Sequence, residues 1–492
     1  MTLFVRPCLL LVLVLSHATA NAQAIFERDW VQLQSANFTI HSTMSEADTR
    51  ELAHYLEMFR VAVAVVTSIT ALDSPVPTNI IVLKHSADYD TLGLSPRTAG
   101  VFSAGMRENF VLLRDSRGDY ERTTMLHEYV HQLVKHQGTA IYPRWFHEGL
   151  AEYLSTAEVS EDSIEVGLIN TSYRYILNRY GQLSWSRVLS AQNLQNMSQI
   201  DTAQFYAQSW LLVHYLSNRE DRNFGNDMAT YMNLVTQGEE PKFAFEKAFD
   251  IAVGPLQRDL SQYIKRNFRM KSMELELSDS PEFAMTTTRP GAADVGLLVG
   301  NAALRFGKLV FARQAFERAL ESPETRARAS AGIGDTFKFD DNYVAALPHF
   351  DRALELGADD PAVQLDIAEY WHNRAEKTPN SEKKTTWLKR ARKHYVASWK
   401  LDDSRAETYA MLGETYTLLG DNHDRAVDML QIADSILPSN ASIQIMLANA
   451  YLAGGRYADA KQQALLVLSW AHVGSKTAKD AERVLTAAEA RL

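Results

Sequence analysis

The stretch HEYVHQLVKHQGTAIYPRWFHEGLAEYL, residues 127–154, decides how this chain folds around its chemistry. Histidines four apart on a helix project from one face, so His127 and His131 can reach the same ion. The helix that carries them is expected from about Tyr120 to His136, with Met125, Leu126, Tyr129, Val130, Leu133 and Val134 on its buried side. Glu128 stands beside the first histidine, where its carboxylate can handle the proton of a water rather than bind metal. A catalytic zinc needs a third protein ligand and an open position. Glu148, 17 residues after His131, is the natural candidate. It lies on a second helix expected to start near Pro143, a favoured first-turn residue. Glu152, one turn further, is placed to accept the other N–H of a ligating histidine. With 14 His and 60 Asp plus Glu in 492 residues, chance supplies fewer than about 0.05 copies of HExxH.

The surrounding chain reads as mixed α/β before this stretch and helical after it. Asn37–Ser42 alternates as a strand, and a helix is expected from Ser45 to Thr67. Asn79–Leu83 reads as a buried strand, and Gly100–Ala104 with Asn109–Arg114 as a hairpin turning at Gly105-Met-Arg-Glu. Met270–Ala293 has weak apolar periodicity and reads as a linker.

Beyond that linker the chain repeats. Gly300, Ala312, Phe316, Ala319 and Leu320 recur 34 residues later as Gly334, Ala346, Phe350, Ala353 and Leu354. Ala368 keeps the phase of Gly334, and Gly413 and Ala448 restart it. The pattern resembles the tetratricopeptide repeat (TPR), in which small residues let paired helices touch. Its third unit is 11 residues longer than the period, and nine Lys/Arg against two Glu lie between Arg374 and Lys400. Such a run is expected as a solvated helix face, with docking of an acidic partner or of membrane phosphates as the alternative.

The N-terminus carries Arg6, the apolar run Leu9–Leu15, and small-residue cleavage sites after Ala20, Ala22 or Ala24. Residues 1–24 are therefore expected to be a secretory signal peptide. They hold the chain's one cysteine, Cys8, so the mature protein has neither disulfides nor thiol chemistry. A cysteine-free exported protein fits a bacterial periplasm, and no transmembrane span is expected in the mature chain. Its net charge is −10, or −11 once Arg6 is removed, which argues against nucleic-acid binding.

HEYVH followed by PRWFHEGLAEYL resembles the gluzincin metallopeptidases and, within them, the peptidase-MA-like domains often joined to TPRs. Trp145, Glu148, Gly149, Ala151 and Tyr153 match that family's W-x-x-E-G-x-A-x-Y segment. The resemblance implies a zinc peptidase with His127, His131 and Glu148 as ligands and Glu128 as the base. Phe205–Leu216 is similar to the helix after the metal site, and a tyrosine near its start, Tyr206, is implied as an oxyanion donor. Ala104-Gly-Met-Arg-Glu-Asn109 is similar to the amine-gripping segment of aminopeptidases, apart from an inserted Arg107. That implies substrate roles for Glu108 and Asn109.

The expected fold is α+β: a gluzincin-like metallopeptidase domain at 25–269, a linker at 270–293, and an α–α TPR solenoid at 294–492. The expected partners are a peptide or protein substrate and a protein held by the TPR array. The alternatives are a TPR adaptor, or a cell-envelope protease-chaperone, whose HExxH site is structural or inactive. A fourth side chain on the metal, from His136 or His147, would favour the adaptor.

Overall fold

The computed structural model describes residues 24–67, 76–94, 100–114, 119–135, 143–160, 163–191, 197–265, 270–274, 284–438, 440–471 and 475–492. The segment read as a signal peptide, with Cys8, lies outside these residues up to position 23, as does His136. The elements run in chain order as follows. First come β1 (Val31–Gln34), β2 (Phe38–Ser42), α1 (Glu46–Thr67), β3 (Thr78–Leu83), α2 (Ser86–Thr91), β4 (Gly100–Ala104) and β5 (Asn109–Arg114). The expected metal helices are α3 (Asp119–Lys135) and α4 (Arg144–Leu154). After them lie β6 (Glu158–Val159), β7 (Ser163–Val166), α5 (Thr171–Tyr180), α6 (Trp185–Ser190), α7 (Gln199–Ser217), α8 (Phe224–Thr236), α9 (Pro241–Phe249) and α10 (Val253–Tyr263). Strands β8 (Lys271–Glu274) and β9 (Thr286–Thr288) precede the repeat helices. These are α11 (Ala292–Arg305), α12 (Leu309–Ala319), α13 (Pro323–Phe339), α14 (Tyr343–Leu356), α15 (Pro361–Lys377) and α16 (Ser381–Leu401). The last five are α17 (Ala406–Leu419), α18 (His423–Ile436), α19 (Ala441–Ala453), α20 (Tyr457–Trp470) and α21 (Lys476–Glu489).

Two compact units are assembled from discontinuous stretches. The first comprises Met1–Arg50, Val76–Arg117 and Met285–Ile436. Its sheet has the order β4-β5-β3-β2-β1-β9. The centre is parallel, β2 on β3 and β3 on β5, and the hairpin partner β4 is antiparallel. Strands β3 and β5 are buried at nearly every position, as parallel strands covered on both faces must be. Ile81, Leu83, Phe110 and Leu112 share one core with Val295, Val299, Ala312 and Phe316, so the first helix pair closes a face of this sheet. Two strands, β8 and β9, arise from the stretch expected to be a linker. Both are short and polar, so apolar alternation had nothing to signal.

Helices α11 to α18 form antiparallel TPR-like pairs, and the repeated glycines have a steric reason. A Cβ at Gly300 would lie 2.6 Å from the Phe316 ring, and one at Gly334 would lie 2.9 Å from Phe350. At Gly413 the equivalent contact is Leu430 at 2.7 Å. Each small residue on the first helix of a pair thus receives the large residue of the second. The added length of the third pair goes into α16, whose 21 residues carry the basic run. Its face is largely solvated, with Arg390 over Trp371, and Arg374 reaches over Trp387 from α15.

The β4–β5 turn has its own anchor in this unit. Arg107, the residue inserted relative to the aminopeptidase segment, donates to Glu407 (2.9 Å), Asp366 (2.7 Å) and Glu369 (3.1 Å). Those carboxylates stand on α15 and α17, so one turn residue ties the sheet to two successive helix pairs.

The second unit comprises Glu51–Pro75, Gly118–Ala284 and Leu437–Leu492. It holds the sheet β6-β7-β8 and the helices α3 to α10. The closing helices α19, α20 and α21 pack on one another. Among the described residues no helix is long and apolar enough to cross a membrane.

Candidate metal centre

Helix α3 buries Leu126, Tyr129, Val130, Leu133 and Val134, which turns His127 and His131 to one side. Helix α4 begins at Arg144, with Pro143 as its N-cap. Trp145 fixes it by sinking fully among Phe146, Tyr231, Phe245 and Phe249. Gly149 then lets α4 cross α7 at close range, because a Cβ there would lie 2.3 Å from the Ser209 carbonyl oxygen. Ala151 and Tyr153 are fully buried, and Tyr153 meets His214 edge to face. Of the W-x-x-E-G-x-A-x-Y residues, four therefore pack and one, Glu148, faces the histidines.

The three donor atoms converge. His127 Nε2 and His131 Nε2 are 3.0 Å apart. Glu148 Oε2 lies 3.5 Å from the first and 3.4 Å from the second. A tetrahedral zinc with bonds of about 2.0–2.2 Å sets its donors about 3.3–3.6 Å apart, so the two Glu148 edges match such an ion and the two histidine nitrogens need to part by only about 0.3 Å. His127, His131 and Glu148 form a group able to hold a metal. Glu152 Oε1 sits 3.3 Å from His127 Nδ1, the partner that leaves Nε2 free for a metal. His147 stacks flat on His131, with ring centroids 4.0 Å apart, and so faces the ring rather than the donor triangle.

Electrostatics here follow from burial with ion pairing. Burial alone would lower the His127 pKa, but hydrogen bonds to Glu148 and Glu152 and their charges raise it to about 10. Burial would raise Glu148, yet its hydrogen bonds with His127 and His131, the His131 charge and Arg144 hold it well below the usual carboxylate range. Arg144 Nη2 approaches the other carboxylate oxygen, Glu148 Oε1, at 3.2 Å. Tyr206, from α7, sets its ring 6.5 Å from that of His127. Burial and the Glu148 charge push its phenol up to about 12, partly offset by Arg144, so it stays a proton donor at neutral pH. Glu128 is exposed beside His127.

Two contributors were not singled out in the sequence. Arg144 is i−4 from Glu148, a spacing that offered a signal. Tyr173, from α5, hydrogen-bonds Glu152, and burial with that carboxylate raises its pKa strongly. No local pattern pointed to it. Glu108 and Asn109 belong to the other unit. The Glu108 carboxylate accepts from Asn79 (2.6 Å) and Arg305 (2.7 Å), so gripping a substrate amine would require breaking that pair. Asn109 is buried in β5 beside Thr78.

Residues 121–235 match the profile of a family described as "Protein of unknown function (DUF1570)". No curated protein matches the chain. Among solved structures, a thermophilic TPR protein of Thermus thermophilus, TTC0263, is similar at 21% identity. The match covers 39% of this chain and 99% of that one, with a TM-score of 0.34. Pseudomonas aeruginosa pilF is similar at 15% identity over 40% of this chain and 88% of that one, TM-score 0.33. The MamA protein is similar at 16% identity over 36% and 91%, TM-score 0.29. The 34-residue recurrence and the paired helices α11 to α18 make this chain a TPR-like repeat protein, and it also carries a His/Glu cluster able to hold a metal.

Proposed function

We propose that this protein is an exported, zinc-dependent peptidase of gluzincin type, with its TPR array recruiting substrate or a protein partner. The observation that carries the reading is the triangle of His127 Nε2, His131 Nε2 and Glu148 Oε2, with edges of 3.0–3.5 Å. A zinc ion held there supplies the Lewis acidity that activates water and polarises a peptide carbonyl. Glu128, exposed next to His127, takes the proton of the attacking water and returns it to the leaving amine. Tyr206 donates to the oxygen on which negative charge develops. Glu152 fixes the His127 ring, and Tyr173 fixes Glu152. Export rests on the N-terminal sequence, which places the chemistry in a periplasm or outside the cell.

A second reading, an adaptor in which the metal staples α3 to α4, draws support from the burial of His131 and Glu148 and from the dominance of the repeat architecture. The two readings share the metal and differ in what Glu128 does. Elemental analysis of the full chain tests the ligand set. One equivalent of zinc per chain lost in Glu148→Gln and kept in Glu128→Gln is the expected result. A chain whose zinc content is unchanged by Glu148→Gln would overturn the ligand assignment, and one without zinc would remove the peptidase reading.

A further inference from the structure

A second cluster of potential ligands lies in the first unit, within the repeat helices. His372 and Glu376 are four apart on α15, and Glu414 comes from α17 in the next pair. Their donor atoms all lie within 4.8 Å of one another. His372 is only 1% exposed, and its Nε2 makes no hydrogen bond. That nitrogen looks toward Glu414 Oε2 at 3.7 Å, too long for a hydrogen bond. On the other side of the ring, Nδ1 meets the Tyr395 hydroxyl from α16 at 3.3 Å. A buried ring nitrogen left without a partner is costly, and here it looks toward Glu414, with Glu376 in the same cluster.

We infer that His372, Glu376 and Glu414 form a second metal site, one that takes a divalent first-row transition ion such as zinc or manganese between two successive helix pairs. The arrangement repeats the chemistry of the first site with one histidine fewer. Two ligands share a helix face at i and i+4, the third comes from a neighbouring helix, and a hydroxyl steadies the far nitrogen. One imidazole and two carboxylates suit zinc, manganese or iron better than calcium or magnesium, which prefer oxygen alone. The donors must close by up to about 1.5 Å to reach bonding separations. Glu376 is exposed and Glu414 a quarter exposed, so both carboxylates have room to swing onto the buried nitrogen. An ion there would couple the third and fourth helix pairs, stiffening the array where its period is interrupted by the long α16.

The test uses the full chain with His131→Ala, which breaks the first site, so failure of the peptidase reading leaves this one standing. After removal of metal with a chelator, the chain is titrated with zinc and, separately, manganese by calorimetry. One ion of either metal per chain is expected. Glu376→Gln, a change at an exposed position that does not threaten folding, should weaken binding at least tenfold. His372→Gln should abolish it and also remove any metal-induced rise in melting temperature. The proposal is overturned if the His131→Ala chain binds neither ion, or if binding is unchanged by Glu376→Gln. Capture of a basic peptide at these residues without metal would likewise overturn it.

Discussion

Replacing Gly149 with alanine probes the contact that sets the metal helices in place. The new Cβ would sit 2.3 Å from the Ser209 oxygen and 2.6 Å from its carbonyl carbon. Ordinary contact begins at 3.4 Å, so α4 and α7 must separate by about 1 Å. Both obstacles are backbone, and no rotamer change relieves them. Overpacking of this kind costs about 1–3 kcal/mol, while alanine in place of glycine within a helix returns about 1 kcal/mol. The net expectation is a loss of up to about 2 kcal/mol, read as a lower urea midpoint of the metal-free chain. Because Glu148 precedes Gly149, the same shift moves its carboxylate off the histidine pair, and zinc affinity should fall at least about tenfold in a competition titration with a chromophoric chelator. Gly254→Ala is the control. Gly254 lies in the first turn of α10 with nothing within 4 Å of its added Cβ, so alanine there should leave the midpoint within about 0.5 kcal/mol of the wild type and the zinc affinity unchanged. An unchanged midpoint and unchanged zinc affinity in Gly149→Ala would refute the close crossing.

Three further outcomes follow from other contacts. Glu152→Gln removes the carboxylate beside His127 Nδ1 and should cost about 10–100-fold in zinc affinity by chelator competition, with the fold intact by circular dichroism; no change would remove Glu152 from the site. Arg107→Ala leaves Asp366, Glu369 and Glu407 facing one another, and because Arg107 is about a third exposed the expected loss is about 2–4 kcal/mol in urea unfolding. A loss below about 0.5 kcal/mol would mean the turn is not held there. Burial lowers the His214 pKa to about 4 from its ordinary 6.5, only partly opposed by the Gly167 carbonyl. The unfolded chain therefore takes up a proton near pH 6.5 that the folded chain refuses. This contribution to stability is complete above that pH and falls by about 3 kcal/mol as pH drops to 4. His214→Gln should flatten the acid limb of the urea-midpoint profile, and an unchanged slope would contradict the assignment.

What was legible in the sequence was what is local or periodic. The i, i+4 spacing placed His127 and His131 on one face, and a turn of helix separated Glu148 from Glu152. The 34-residue recurrence identified the repeat pairs, since each small residue answers a large one at a fixed offset. The β4–β5 hairpin was legible from two apolar runs around Gly105. Less visible were contacts that depend on how distant elements stack. Arg107 reaches carboxylates about 260–300 residues away in sequence, and His372 meets Glu414 across two helix pairs. Strands β8 and β9 are too short and polar to carry an alternation. Trp145 and Tyr153 were legible only as matches to a family segment, and their burial shows that they hold α4 in place.

The most direct test of the central claim is cleavage of a mixed peptide library, followed by mass spectrometry. Zinc-loaded full-length protein is compared with Glu128→Gln loaded to the same zinc content. The account predicts new termini with the wild type and a loss of at least about a hundredfold in rate for Glu128→Gln. A wild-type chain that holds zinc at His127, His131 and Glu148 yet cuts nothing in the library, or cuts no faster than Glu128→Gln, would contradict it and leave the adaptor reading in its place.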